Sequence, residues 1–240
     1  SHVIFVASTS VHSNHERLNI MSNSALAIAE DKVPAHISKG SGRGNEEVTA
    51  NQLTIPRVKL LQKMSDEVDK HHPNYIEGAE DGNFLNSLTR EIYGDEIYVL
   101  NVKFKDEYVV WRNREAGGGL LGNFSSEKDA AEAIKEQDKP QDYEIRQTHS
   151  HMMMVKNPET GDLSNPVLMD FAASKLRVSR NWNSQISIKG GDRFAGLWKL
   201  KAVSVTNSGG KSWMNLEADF VGWAQKDDYE AAEAVFESMA

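Results

Sequence analysis

Cationic side chains and indole rings are concentrated in one part of an otherwise acidic chain. The 240 residues have a formal net charge of −8. Residues 166–216, however, carry eight Lys and Arg side chains against two Asp side chains, a local balance of +6, together with three of the five tryptophans. Cations can hold phosphates while flat aromatic rings stack on bases. The composition of this stretch therefore predicts a local nucleic-acid site.

A second group of candidates lies on a predicted β-hairpin. Residues 97–104 and 108–114 alternate in the manner of strands, and Lys105-Asp106-Glu107 is interpreted as the turn between them. This hairpin would place Arg112 and Arg114 on one face, with Lys103 and Arg112 as the leading pair of phosphate ligands. The predicted phosphate contacts are Lys103, Lys105, Arg112, Arg114, Lys175, Arg177, Arg180, Lys199 and Lys201, and the predicted stacking rings are Tyr108, Trp111 and Trp198.

One tryptophan of the basic stretch is predicted to be buried. Residues 172–188 form the best helix pattern of the chain, and Val178, Trp182 and Ile186 recur on one stripe of it. Such a stripe normally faces a hydrophobic core. Trp182 is therefore assigned to packing rather than to stacking.

The order of patterns divides the chain into three parts. Residues 1–50 are poor in large apolar groups after Phe5 and predict a flexible arm. Met21 is compatible with a native start, which would make residues 1–20 upstream sequence. Residues 51–225 contain short strand patterns and one substantial helix, which predict a mostly β domain of the α+β class. Residues 226–240 form an acidic tail, in which Asp227, Asp228, Tyr229 and Phe236 are candidates for binding a partner or covering a basic groove.

The composition also limits the class of protein. The chain has no cysteine, so disulfides, thiolate metal sites and a cysteine nucleophile are excluded. The sequence contains no apolar run long enough for a secretory or membrane segment, which predicts a cytoplasmic protein without membrane contact. No spacing identifies a catalytic acid and base pair or a nucleotide-binding loop, so the protein is not expected to be an enzyme or to hold a cofactor.

One alternative with a metal stays open. His149 and His151 lie on one side of a predicted strand, and with Asp170 they could form a set of two histidines and one carboxylate. A metal-dependent enzyme that uses these three residues is the main alternative function. A noncatalytic scaffold, which would use the same β surface to bind protein, is the other.

Three segments of the chain can be compared with known proteins. They are Ile55-Pro56-Arg57-Val58-Lys59-Leu60-Leu61-Gln62, Glu107-Tyr108-Val109-Val110-Trp111-Arg112-Asn113-Arg114 and Lys175-Leu176-Arg177-Val178-Ser179-Arg180-Asn181-Trp182-Asn183. These segments resemble proteins of bacteriophage replication modules, of the single-stranded DNA-binding type. The resemblance covers about residues 52–223. It implies an OB-like β-barrel, a role in DNA replication or recombination in the host bacterial cytoplasm, and an acidic tail that ends in an aromatic residue. Here Phe236 stands four places before the end, which departs from that pattern.

The mechanism expected from these features is physical rather than chemical. Cations follow the backbone of a single strand and aromatic rings stack on successive bases, so the sequence preference is weak. Partners are therefore single-stranded DNA and, through the tail, phage replication proteins. The sequence leaves open the choice between DNA and RNA and whether the protein forms a homo-oligomer.

Overall fold

The computed structural model describes His36 and residues 54–239, so the predicted arm at residues 1–50 lies outside the described residues except for His36. The strands are β1 (Val58–Leu60), β2 (Phe84–Asn86), β3 (Ile92–Gly94), β4 (Glu96–Arg112), β5 (Leu120–Phe124), β6 (Tyr143–Lys156), β7 (Leu163–Ala172), β8 (Gly196–Thr206) and β9 (Ser212–Trp223). The α-helices are α1 (Glu127–Lys135), α2 (Lys175–Lys189) and α3 (Lys226–Ser238). The fold is thus mostly β with three helices among the described residues, which confirms the predicted α+β class.

Two antiparallel sheets make up the β structure. The larger has six strands, in the order β7-β6-β4-β8-β9, with β5 beside the C-terminal half of β4. The smaller consists of β1, β2 and β3. β8 pairs with residues 96–100 of β4 and β5 pairs with residues 108–111. The middle of β4 therefore has a strand partner only on its β6 side.

The predicted hairpin is wrong, because residues 96–112 form one continuous strand. Lys105 pairs with Ser150 and Glu107 pairs with Thr148, so the ladder between β4 and β6 passes through the expected turn. Asp106 is a usual turn residue, but no Gly or Pro stands beside it to force a reversal, and the pairing with β6 keeps the segment extended. A bulge between Asn101 and Lys103 shifts the register once.

The main core lies between one face of the large sheet and α2. Ile97 and Val99 of β4 and Met153 of β6 are buried on this side, here called the inner face, together with Trp182 of the helix. Val178 and Ile186 pack against the same cluster. The predicted stripe is confirmed, and Trp182 is fully buried as expected.

The opposite side of β4 and β6, here called the outer face, is partly covered by α3. Ala232 of the helix is buried in a cluster with Leu100, Val102, Met152 and Met154 of the two strands. A cationic side chain at the end of β6, Lys156, forms an ion pair of 2.7 Å with Asp228. The segment predicted as an acidic tail is therefore a helix packed against the sheet of its own domain.

The residues around β1 contact both edge strands of the large sheet. The carbonyl of Pro56 accepts a hydrogen bond of 2.8 Å from the Leu168 amide of β7. At the other edge, the Gln62 side chain donates to the Met214 carbonyl at 2.9 Å and accepts from the Met214 amide at 2.8 Å. Over residues 54–239 no complete backbone ladder joins β7 to β9, so the sheets are open. The OB-like barrel expected from the resemblance remains a prediction.

The three α-helices of the described region are short. None of them is both long and apolar enough to pass through a lipid bilayer.

Candidate nucleic-acid interface

A basic groove lies on the outer face beside the C-terminal end of α3. The register pairs Lys103 with Met152 and Lys105 with Ser150, and the strand period of two places both lysines on the outer face. Arg57, just before β1, reaches the same place because it bridges to Leu168 of β7. The cavity has a volume of about 260 Å³. Its lining also includes Phe104, Glu107, Asn123, Ser150, Met152, Leu168 and Met239.

Each cation of the basic groove has a partner within the protein. Arg57 pairs with Asp170 at 2.5 Å, and Lys105 pairs with Glu107 at 3.0 Å. Lys103 Nζ donates to the Met239 carbonyl at the end of α3, at 3.4 Å. These side chains are solvent-exposed or partly so, and such surface ion pairs contribute at most about 1 kcal/mol to stability. Loss of the Arg57–Asp170 pair, whose side chains are 50% and 41% exposed, would therefore cost little stability.

An exposed indole lies on the same face as the two lysines of β4. Trp111 lies six positions after Lys105 along an unbroken register with β6, and it is 39% exposed. Opposite it on β5, Leu120 is 56% exposed. Trp111 is thus accessible to solvent on the outer face, and its stacking role stays a prediction. Tyr108 has the opposite parity and is half-buried.

The predicted leading pair is not brought together. Lys103 and Arg112 lie nine residues apart on one strand, which is about 30 Å, and they face opposite sides of the sheet. Arg114 lies beyond the strand, in a 3-10 turn. The prediction was wrong because it depended on the hairpin, and a continuous strand separates residues that a hairpin would have juxtaposed.

The cations of β8 face acidic residues across the sheet. Lys199 is directly opposite Asp219, and Lys201 is directly opposite Glu217. Both acids lie on β9, just beyond the stretch whose local charge was +6 in the sequence. The tertiary structure therefore places a carboxylate opposite each of these lysines, and Lys199 and Lys201 do not line the basic groove.

The helix cations also lie apart from the basic groove. Lys175 is half-buried, and burial lowers the pKa of its ammonium group. Arg177 and Arg180 are exposed on α2. Arg177 borders a different groove, between α2 and β9.

Trp198 is buried and is not available for stacking. Its side chain is 1% exposed, with edge-to-face contacts to Trp182 at 6.2 Å and to Phe220 at 5.2 Å. The predicted role was wrong because Trp198 points to the inner face of β8, where the core lies. Trp223 at the end of β9, which the sequence did not single out, is the more exposed ring at 58%.

The two candidate metal ligands on β6 belong to a buried hydrogen-bond chain. Ser179 of α2 lies between them, with Oγ 2.7 Å from His149 Nδ1 and 2.7 Å from His151 Nε2. Asn101 Nδ2 is 2.9 Å from His151 Nδ1, and Asp106 Oδ1 is 3.6 Å from His149 Nε2. With both histidines neutral, one direction of donation is consistent with all of these contacts. Asn101 donates to His151, His151 to Ser179, Ser179 to His149, and His149 points its remaining N–H at Asp106.

Burial keeps these histidines neutral. It lowers the pKa of His151 to about 3, with further lowering by the positive charge of Arg193 and by His149. It also lowers the pKa of His149, against the opposing effect of Asp106. The chain of hydrogen bonds is thus suited to a structural role.

The proposed metal set is not assembled. Asp170 pairs in register with Ser150, so it lies on the outer face, whereas His149 and His151 lie on the inner face. All four imidazole nitrogens already face Asn101, Ser179 or Asp106 rather than a common point where a metal could lie. Across residues 54–239 no cluster of three or more His, Cys, Asp or Glu side chains has the arrangement to hold a metal ion.

The residues predicted for the tail are mostly engaged within the domain. Asp228 pairs with Lys156, and Tyr229 packs on Phe194 with its ring centroid at 5.2 Å. The Tyr229 hydroxyl donates to Asp192, which raises the pKa of the phenol to about 12. Phe236 stays 43% exposed, and Asp227 is also exposed.

Arg57 is the groove residue that the sequence prediction missed. It lies 46 residues before Lys103 in a segment with little excess positive charge, so no local pattern distinguishes it. The only sequence signal is its position after Pro56 at the start of an edge strand.

Comparison with known proteins gives a family for the chain. Neither a curated protein nor a solved structure matches it. The family model described as Pam3 phage gp34-like protein matches residues 23–240, which is most of the chain and includes every residue of the basic groove. The chain therefore belongs to this family of phage proteins.

Proposed function

We propose that this protein binds single-stranded DNA with little sequence preference, in phage DNA replication or recombination. The observation that carries the proposal is the convergence of Arg57, Lys103 and Lys105 from two separate segments on one outer-face groove. Three cations around one cavity fit a phosphate backbone, and Trp111 on the same face supplies a ring for stacking. Membership of a phage family is consistent with this role.

The strand order supports an OB-like fold for this purpose. Counted from β4, the five long strands lie in the order third, second, first, fourth, fifth, and α2 connects the third to the fourth. We infer from this order an OB-like domain, a five-stranded Greek-key fold that is partly open and binds oligonucleotides on the face of its second and third strands. Here those strands are β6 and β7, and the basic groove lies on their outer side.

The acidic side of α3 limits the path of the DNA. Glu230 and Glu237 are exposed on this helix, beside the outer-face cluster that it covers. Phosphates are repelled by these carboxylates, so the strand runs from the basic groove toward Trp111 rather than across α3. We assign the exposed side of α3, with Asp227 and Phe236, to contact with replication proteins.

The test is a titration with oligothymidylate at several salt concentrations. Three phosphate contacts predict a slope of log affinity against log salt of about −2 for a single strand. The double variant Lys103→Gln, Lys105→Gln keeps one groove cation, so its slope should fall to about −0.7 and its affinity at low salt should drop.

A matched control is present on the neighbouring strand. The double variant Lys199→Gln, Lys201→Gln removes two lysines at the same spacing, but these face Asp219 and Glu217. It should leave both the slope and the affinity nearly unchanged. Equal losses in the two variants would place the site elsewhere, and a wild-type protein that does not bind oligothymidylate at low salt would contradict the function itself.

A further inference from the structure

A second groove lies between α2 and the edge strand β9. It shares no lining residue with the basic groove. Its volume is about 750 Å³, which is within the usual range of binding pockets. Val178 and Trp182 of the helix and Leu216 and Ala218 of the strand contribute apolar lining. Glu217 and Asp219 of β9 and Arg177 of α2 contribute the charges.

The backbone of β9 points polar groups into this groove. Gln62 satisfies both the amide and the carbonyl of Met214, so these two groups are directed away from β8. Backbone groups on an antiparallel strand alternate in direction, and Leu216 and Ala218 therefore also point away from β8. The Leu216 amide donates to the side chain of Asn215 at 2.9 Å, and the Ala218 carbonyl accepts from Gln185 at 3.4 Å.

Two groups remain without a partner. In the region that the structure describes, nothing donates to the Leu216 carbonyl on this side and nothing accepts from the Ala218 amide. Leu216 is only 2% exposed and Ala218 only 8%. Buried backbone groups are nearly always paired, because leaving one unpaired costs free energy comparable to a lost hydrogen bond. The groove therefore gives access to one unused acceptor and one unused donor.

The positions of these two groups select the kind of ligand. They flank Glu217. A single residue of a parallel β-strand can donate its N–H to the Leu216 carbonyl and accept a hydrogen bond from the Ala218 amide. An antiparallel strand would need the Leu216 amide or the Ala218 carbonyl, which Asn215 and Gln185 already occupy. A phosphate backbone offers no such pair and would meet two carboxylates on the rim.

We infer that β9 and α2 form a docking groove for an extended peptide segment of a partner protein, added in parallel to β9. Addition of a strand to a sheet edge is an established mode of peptide recognition. This site is independent of the proposed DNA function, since it shares no residue with the basic groove.

The neighbouring side chains define the sequence that fits. The central peptide residue lies beside Glu217 on the same face, so a Lys or Arg there is favoured by charge. The residues before and after it point to the side of Leu216 and Ala218, where Val178 lies, and small apolar side chains suit that side. The expected motif is apolar, basic, apolar.

Backbone amide exchange in the full chain tests the open edge first. The amides of Glu217 and Asp219 pair with β8, whereas that of Ala218 does not. The Ala218 amide should therefore exchange at least about tenfold faster than both neighbours. Protection of Ala218 equal to that of its neighbours in the free protein would overturn the proposal, because the edge would already be paired.

The second step uses the peptide Ac-Ala-Val-Lys-Val-Ala-amide as the probe, followed by the amide resonance of Ala218. Binding should shift this resonance and slow its exchange, while the same peptide methylated on the lysine amide nitrogen should not bind. Glu217→Lys should weaken the lysine peptide and favour the corresponding glutamate peptide. Equal binding of the methylated peptide, or an Ala218 shift caused by oligothymidylate instead, would overturn it.

Discussion

The two faces of β4 and β6 both carry polar side chains, which are exposed on the outer face and buried on the inner face. On the outer face, Lys103 and Lys105 are exposed and each has one partner, the Met239 carbonyl and the Glu107 carboxylate. On the inner face, Asn101, His149 and His151 are linked to one another through buried hydrogen bonds, two of them to Ser179. Adjacent positions on one strand thus separate a surface suited to binding from a network suited to holding α2 on the sheet.

This difference shows that residue type alone does not identify a site. His149 and His151 have the chemistry of metal ligands, yet burial and Ser179 commit them to structure. Lys105 has ordinary chemistry, yet its position beside Arg57 and Lys103 gives it a role in the proposed DNA contact. Strand parity and exposure decide between the two outcomes.

The largest expected effect on stability comes from breaking the buried hydrogen-bond chain of His149, His151 and Ser179. Ser179→Ala removes the hydroxyl shared by the two histidines and leaves a buried nitrogen on each without its partner. The free energy of unfolding should fall by about 2 to 4 kcal/mol, measured by urea denaturation. On the same helix, the Ser184 hydroxyl donates to the Arg180 carbonyl at the surface, so Ser184→Ala should change stability by less than about 0.5 kcal/mol. Similar losses of stability in both variants would show that the buried hydroxyl of Ser179 matters no more than the surface hydroxyl of Ser184.

A somewhat smaller loss in the free energy of unfolding is expected when the pH is lowered. The folded-state pKa of His151 is about 3, below the value of about 6.5 in an unfolded chain. The unfolded state therefore binds a proton between these values that the folded state does not, and stability present above pH 6.5 is lost as the pH falls. The slope should approach about 1.4 kcal/mol per pH unit for this group. Urea denaturation at pH 7, 6 and 5 measures it, and constant stability over that range would exclude a buried neutral His151.

The smallest expected effect concerns the outer face. Trp111→Ala removes the proposed stacking ring and should weaken oligothymidylate binding by about 1 kcal/mol, the lower end of the usual range for one base. Urea denaturation of the variant separates a loss of stacking from a loss of folding, because Trp111 is only 39% exposed. Trp223→Ala is the control, since this exposed ring lies at the end of β9. If the Trp223 variant loses affinity and the Trp111 variant does not, DNA does not follow the path from the basic groove to Trp111.

Several features of the fold could be predicted from sequence because they depend on local periodicity. The stripe of Val178, Trp182 and Ile186 correctly predicts a helix with a buried indole. The serine before α1 is also a normal helix start, and Ser126 caps it by accepting from the Asp129 amide. Local periodicity did not decide between a turn and a continuous strand at residues 105–107, because three charged residues are compatible with either a loop or an exposed strand.

The candidate site was only partly predictable for a different reason. Lys103, Lys105 and Trp111 were named from sequence and lie on the outer face. The sequence predicts stacking for Trp198 because lysines lie near it in the chain. Its burial depends instead on which face of β8 meets α2. Arg57 was missed because its approach to β7 is a contact between segments far apart in sequence.

The sequence by itself determined the class of fold, the helix that covers the core and the lack of cysteine chemistry, because composition and periodicity act over a few residues. Only the tertiary structure decided which cations meet. Strand pairing brought Asp219 and Glu217 opposite Lys199 and Lys201, and it brought Arg57 beside Lys103 and Lys105. Electrostatic effects depend on distance in space rather than on separation along the chain, so the order of residues could not fix them.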